Sequence, residues 1–413
     1  MDFNDTPEEA AFRAEATAFL QAHATLKTAA KNRFDRFDAR SEAEKLKAAR
    51  AWQKTKAENR FAQITWPEKW GGRGGTAMQQ VIYSQEEAKY SVPSGMFFGI
   101  GLGMIVPTVM QYADEETCQR FVGPALRGEE IWCQLFSEPA AGSDLAGVRT
   151  RAERDGDDWI INGQKVWTSG AHYSDYGMIV VRTDPSVPKH KGLTAFWLDI
   201  KSPGIDVRPL RQAPGLSEFN EVYFSDVRVP DSQRLGEVGG GWKAALTTLM
   251  HERLAVGELG GTDWPDLVSL AQAIQFEDGP AIDDPAVRDR LADWYVQSQG
   301  LKYTRYRIMT ALSRGQTPGP ENSISKIVVA KKMQDLASFA MDIQEMGGLI
   351  TEREHTMMKG VFPHYYLWAA GMRLAGGTDE ILKNIVAERV LGLPPEIRVD
   401  KDVSFAELVG RTS

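Results

Sequence analysis

Ser137-Glu138-Pro139-Ala140-Ala141-Gly142-Ser143-Asp144, followed downstream by Lys165-Val166-Trp167-Thr168-Ser169-Gly170, is the pair of stretches from which the rest of the chain can be read. The first stretch follows the apolar run 131–136, which reads as a buried strand. Pro139 ends that strand, and Gly142 stands where backbone must come close to a ligand. Small side chains and free amides there suit an anion. The second stretch closes a strand whose hairpin is predicted at Asn162-Gly163, so Trp167 is delivered at a strand end where an aromatic ring can cover a flat one. By themselves these residues also fit a plain turn and a core tryptophan, and both readings stand at this point.

Composition sets the bounds. A chain of 413 residues exceeds what one hydrophobic core holds comfortably, which predicts two or three packed units. With 42% hydrophobic and 25% charged residues it is of ordinary globular composition. A net charge of -8 argues against nucleic acid as a partner and gives no attraction to an anionic membrane. Cys118 and Cys133 are too few for a disulfide framework and lack metal-ligand spacing, so both are expected as buried small hydrophobes and no metal is expected. Residues 1–10 are acidic with no basic-then-apolar leader, and no run of about 18 apolar residues exists, so a cytoplasmic protein is the expectation.

Periodicity divides the chain. Helices are predicted over 7–24, within the charged region 31–60 as a solvated pair, over 78–90, and through the apolar stretch 97–112. From residue 129 the pattern alternates, with strands predicted at 131–137, 148–154, 158–169, 176–183, 193–200, 205–210 and 219–229. The basic loop Pro188-Lys189-His190-Lys191 lies among them and reads as a solvated turn. After Gly239-Gly240-Gly241 the helical period returns at 242–260, 284–314, 323–348, 364–373 and 378–391, with a loop at Pro265. The expected fold is α+β: an N-terminal helical domain 1–128, a central antiparallel β domain 129–238, a C-terminal helical bundle 239–398 and a tail 399–413.

The run Leu135-Phe136-Ser137-Glu138-Pro139-Ala140-Ala141-Gly142-Ser143-Asp144 resembles the first signature of the FAD-dependent acyl-CoA dehydrogenase family, and the Lys-x-Trp strand that follows it in that family is here Lys165 to Ser169. Trp66-Pro67-Glu68-Lys69-Trp70-Gly71-Gly72-Arg73-Gly74, Gln344-Glu345-Met346-Gly347-Gly348 and Gly376-Gly377-Thr378-Asp379-Glu380-Ile381 recur in the family's order, so the resemblance spans nearly the whole chain. It implies desaturation of an acyl-CoA thioester between Cα and Cβ, with electrons passed to an electron-transfer flavoprotein. Carried over, Gln134, Phe136, Ser137, Gly142, Ser143, Trp167, Thr168 and Ser169 contact FAD, and Ser143, Arg253 and Gly377 face the thioester. Gln344, Gly347, Gly348, Thr378 and Glu380 hold part of the flavin's nucleotide, often that of a neighbouring subunit, which implies a homotetramer or a heterotetramer with a paralogous chain.

Two departures from the family pattern shape the expectation. Many members carry the catalytic glutamate just before the last Gly-Thr, where this chain has Gly376; other members place it before an arginine on the first helix of the bundle, which is here Glu252-Arg253. Glu252 is therefore the expected base, ahead of Glu138 in the flavin loop and Glu380 at a helix start. The family's Arg-x-x-Phe-Gly element with its later Gln, which serves the adenosine half of FAD, has no counterpart in residues 260–290. A flavin-dependent monooxygenase on the same fold and a half-site subunit of a heteromeric dehydrogenase are the alternatives.

Overall fold

A computed structural model describes residues 5–27, 40–255, 261–314, 319–352, 354–398 and 400–412. The chain forms two compact units from interleaved segments. The sheet unit takes Ser41–Gly75, Pro93–Ala255 and Glu396–Ser413, and the helical unit takes Met1–Arg40, Thr76–Val92 and Val256–Pro395.

In the sheet unit the strands lie in the order Arg234–Leu235, Leu193–Asp199, Tyr176–Arg182, Arg151–Asp155, Asp158–Ser169, Phe219–Pro230, Ile205–Leu210. Trp132–Leu135 pairs with Tyr176–Arg182 and runs parallel to it, while the remaining long pairings are antiparallel. Alternation builds this sheet. Asn220, Val222 and Phe224 are buried at every second position of their strand, and the phase then slips so that Val227 and Val229 continue it. The slip sits at Asp226, whose φ is +49°, opposite a register shift between Ile161 and Gly163.

Asn162-Gly163 is thus not the hairpin turn its composition predicts; the strands reverse around Gly156, and Asn162-Gly163 lies inside the continuous strand Asp158–Ser169. Asn162 and Asp226 bond each other across the bulge, Nδ2 to Oδ1 and amide to Oδ1, both at 2.9 Å. Gly163 is needed for a close approach, since a Cβ there would lie 2.7 Å from the Thr150 Cα. A turn and a tight strand contact select the same residue, and the sequence pattern does not separate them.

Helix Glu115–Leu126, absent from the sequence expectation, packs on the sheet through Phe121, whose ring meets Trp132, Tyr176 and Trp197 at 5.4, 4.9 and 4.7 Å. Only one helix of the expected charged pair, Glu42–Glu58, falls among the described residues; 28–39 lie outside them. Cys118 and Cys133 are buried and free, as expected.

In the helical unit, Pro7–His23 starts with a capping box: Glu9 donates its amide to Thr6 Oγ1 while Thr6 donates its own to Glu9 Oε2. It packs on Ala77–Glu87, where buried Glu86 takes Arg13 and Lys89, each at 2.7 Å. Pro265 does not mark a loop. It sits in the first turn of helix Trp264–Ala273, capped by Asp263, where a missing N–H costs nothing. The expected helix 323–348 stops at Asp342, and Glu345 at φ +50° opens a separate 3-10 turn, Glu345–Leu349. No described helix is long and apolar enough to cross a membrane.

Candidate active site

The two predicted cofactor loops are held together by a buried brace. Lys165 is fully buried, and its Nζ donates to Phe136 O at 3.0 Å, Glu138 Oε1 at 2.8 Å and Val180 O at 2.7 Å. Glu138, 6% exposed, also accepts the amides of Arg149 at 2.6 Å and Thr150 at 2.9 Å. Between them the chain adds Val166 N donating to Ser137 O at 2.9 Å. Burial pulls the Lys165 ammonium down to about 8, against the Glu138 carboxylate that holds it up. Burial pushes Glu138 the other way, but Lys165 and the two amides outweigh it and keep the carboxyl below its ordinary value. The sequence reading treated Glu138 as a weak candidate base. The pair's five hydrogen bonds, one between its members and four to neighbouring backbone, instead give Glu138 a positioning role, and the sequence signal for it is a lysine beside Val166 in a strand.

Around this brace the loop surfaces stay open. Trp167 is 60% exposed at φ +59°, inside a register shift between Lys165 and Thr168. A left-handed tryptophan in a strand costs on the order of 1–3 kcal/mol and persists only where the fold dictates it. Thr168 is 1% exposed, and its Oγ1 has no hydrogen-bond partner. A Cβ built on Gly142 meets nothing within 4 Å, and among the described residues the amides of Gly142 and Ser143 make no hydrogen bond. Gln134, Ser137 and Ser169 are half-buried and Ser143 is exposed, whereas the Phe136 side chain is core, leaving its backbone as its route to a ligand.

Helix Gly241–Ala255 belongs to the same unit. Ala244, Ala245 and Thr248 form its buried face, with Thr248 Oγ1 2.9 Å from Thr108 Oγ1 and 3.6 Å from Met178 Sδ. Position 252 follows Thr248 by one helical turn. The side chains of Glu252 and Arg253 lie outside the described set, as do residues 256–260.

The model of "Acyl-CoA dehydrogenase, N-terminal domain" matches residues 6–129, that of the middle domain residues 133–227 and that of the C-terminal domain residues 239–391. The chain belongs to the acyl-CoA dehydrogenase family. As an acyl-CoA dehydrogenase it is an oxidoreductase acting on CH–CH groups. Acyl-CoA dehydrogenase FadE34 of Mycobacterium tuberculosis is 39% identical over 332 residues, 80% of this chain and 44% of FadE34, so the chain spans less than half of that relative. Acyl-CoA dehydrogenase IpdE1 of Mycolicibacterium smegmatis is 36% identical over 81% of this chain and 86% of IpdE1. Among solved structures, the Tcur3481-Tcur3483 steroid ACAD superposes with a TM-score of 0.78 at 27% identity, and the ChsE4-ChsE5 complex from Mycobacterium tuberculosis with 0.76 at 25%, each over 96% of this chain and 100% of that one.

The acyl-CoA dehydrogenase motifs of the helical unit are found in turns. Thr378 caps helix Asp379–Arg389 by accepting from Ile381 N at 3.2 Å, with Glu380 exposed in its first turn. Gly376 and Gly377 both have positive φ, and Lys326 Nζ donates to Gly377 O at 2.6 Å. Gln344 turns its amide back to Ala340 O at 2.7 Å. Gly348 is a packing glycine, since a Cβ would stand 2.4 Å from Met341 O, whereas Gly347 faces open space.

Proposed function

We propose that the chain binds FAD and dehydrogenates an acyl-CoA thioester at Cα–Cβ to the 2-enoyl-CoA, with Glu252 as base. The observation that carries this is the left-handed, exposed Trp167 beside the unpartnered Thr168 Oγ1, on a strand locked by Lys165 to the open Gly142-Ser143 loop. A buried hydroxyl without a partner and two unused amides are what a polar, flat, anionic group would complete, so the residues fit FAD. Gln134, Ser137, Gly142, Ser143, Thr168 and Ser169 would hold it through side chains and backbone, Phe136 through backbone, with Trp167 against the ring. Bound there, FAD supplies the hydride acceptor. The protein's own part is to bind the thioester through Ser143, Arg253 and Gly377, to exclude water with Trp167, and to take the α-proton on the Glu252 carboxylate. Ala245 and Thr248 lie on the buried face of helix Gly241–Ala255, two turns and one turn before position 252.

Gln344, Gly347, Gly348, Thr378 and Glu380 are assigned by the same reading to the flavin nucleotide of a neighbouring subunit in a tetramer. The paired names of the Tcur3481-Tcur3483 and ChsE4-ChsE5 structures, together with the missing adenosine element in 260–290, favour a paralogous partner chain over a homotetramer. The steroid ACAD makes a sterol-derived acyl-CoA the first substrate to try. An electron-transfer flavoprotein is the proposed acceptor, and the cytoplasm the proposed location. The three sequence segments 1–128, 129–238 and 239–398 are the proposed domains. Purified protein should be yellow and reduce a dye acceptor with one class in a panel of short, branched, long and sterol-derived acyl-CoAs. A colourless chain that gains no visible absorbance with added FAD, alone and with its paralogue, overturns this reading.

A further inference from the structure

The family's C-terminal domain match ends at residue 391, yet residues 400–412 are well placed in the sheet unit. Phe405 N donates to Val187 O at 3.0 Å, Ala406 N donates to Pro185 O at 2.9 Å, and Pro188 bridges Ser404, so the segment fastens along the loop after Tyr176–Arg182. This loop contains the basic turn that reads as solvated in the sequence; Lys191 is exposed there, but Lys189 is not. Lys189 Nζ lies between Asp144 Oδ2 at 2.9 Å and Asp400 Oδ2 at 2.6 Å. Beside it the Phe405 ring stands 3.8 Å from the Arg182 guanidinium. Arg182, 4% exposed, donates from Nη1 to Lys189 O and from Nη2 to Ala146 O, both at 2.5 Å.

These contacts converge on one short stretch. Asp144 ends the first flavin loop, and Ala146 continues it toward Thr150, whose amide Glu138 holds. Between Gly142 and Asp144 the loop's one side-chain tie to another segment, among the described residues, is the Lys189 contact. That stretch holds the open amides offered to the flavin, and residues 400–405 reach it through Lys189 and Arg182.

We propose that the C-terminal segment positions the first flavin loop, with Phe405 acting through Arg182 and Asp400 acting through Lys189 on residues 142–148. Ordering the loop in advance removes a cost that flavin binding would otherwise bear. The proposal rests on the flavin reading above, and the test separates the two. Phe405→Ala, Phe405→Tyr, Asp400→Asn and the Asp400→Asn, Lys189→Met pair are titrated as apoprotein with FAD by fluorescence quenching. Amide hydrogen exchange of 140–150 and thermal melting are followed on the same samples. The expected result is an FAD Kd about tenfold weaker in Phe405→Ala, recovery in Phe405→Tyr, faster exchange confined to 140–150 and 184–191, and a melting midpoint within a few degrees. Asp400→Asn should weaken binding less, and adding Lys189→Met to it should weaken binding further, because that change also removes the Asp144 contact. An FAD Kd within twofold of wild type in Phe405→Ala and Asp400→Asn overturns the proposal, whether or not exchange changes. If Phe405→Ala does not fold, Asp400→Asn decides alone by the same criterion. If the wild-type chain binds no FAD, the flavin reading fails; unchanged exchange in the variants then overturns the positioning as well, and faster exchange at 140–150 supports it.

Discussion

The cofactor loops of the sheet unit and the Gly376-Gly377 turn of the helical unit each rest on a buried lysine, and the two lysines are served differently. Lys165 has three acceptors, and its carboxylate partner Glu138 is satisfied by two further amides. Lys326 reaches Gly377 O at 2.6 Å and stands 3.6 Å from Asp379, whose Oδ1 makes no hydrogen bond among the described residues although Arg373 takes its Oδ2 at 2.7 Å. Burial pulls the Lys326 ammonium down too. Large apolar side chains are exposed in both units, among them Tyr303, Met346, Leu349, Leu374 and Leu391 in the helical unit and Met96, Met250 and Ile397 in the sheet unit, where exposed Trp167 stands at the candidate cofactor site. The ion pair behind the sheet loops is fully hydrogen-bonded, although the loops themselves leave Thr168 Oγ1 open, whereas the carboxylate behind the helical turn keeps an unused oxygen. The lesson is that the brace behind the sheet loops is complete, while the network behind the helical turn keeps a buried carboxylate oxygen in reserve.

The largest expected effect locates the chemistry. Glu252→Gln should lower kcat about 10²- to 10⁴-fold while FAD absorbance and assembly stay unchanged. Stopped-flow reduction of the bound flavin by acyl-CoA reads this directly, and turnover within roughly tenfold of wild type would remove Glu252 from the mechanism.

Next comes the asymmetry between the lysines. Lys165→Met leaves a buried carboxylate without its cation and should destabilise by about 3–5 kcal/mol. Lys326→Met, in a network that already has a free valence, should cost only about 1–2 kcal/mol. Urea denaturation of both variants checks the ordering, and equal losses would erase the distinction between a finished and an unfinished motif.

A smaller effect appears in pH dependence. Lys165 titrates near 8 when folded and at its ordinary 10.5 when unfolded, so the unfolded chain binds more protons between those values. Wild type should therefore gain further stability relative to Lys165→Met as pH rises from about 8 toward 10.5, by at most roughly 1 kcal/mol per pH unit, and this increment alone should be lost as pH falls back through 8. A flat difference across this window would mean that the buried lysine stays protonated in the folded chain up to its ordinary value. Last, Leu391→Asp, on the apolar groove formed with Ile324, Ile327, Val328 and Val386, should weaken subunit association at least about tenfold by sedimentation while leaving the sheet unit's FAD spectrum intact.

Much of this was legible because strands announce themselves by alternation. The strands 158–169 and 205–210 are found where the period placed them, and Thr378 caps the last helix as its side chain and acidic first turn imply. What failed did so where one residue answers two physical needs. Gly163 looks like a turn because close approach also demands glycine, and Pro265 looks like a loop because helix starts also accept proline. The site was readable as motifs but not as a mechanism of support. Nothing in the local pattern of Lys189 or Arg182 says that Asp400 and Phe405, more than two hundred positions away along the chain, will meet them. Long-range ion pairing carries no periodicity.

The interleaving of the two units sets a schedule for biosynthesis. Helix Ala77–Glu87 packs against Pro285–Ser313, so it leaves the ribosome long before its neighbour exists. At about 5–20 residues per second, that wait is on the order of ten seconds or more. The sheet meanwhile can close its hairpins as they emerge, but its fastening at Phe405 arrives only after the helices have been made. A nascent chain therefore carries this helix with Pro7–His23 already made but its later neighbour still missing through most of its synthesis, and such incompletely packed intermediates are the species that chaperones shelter.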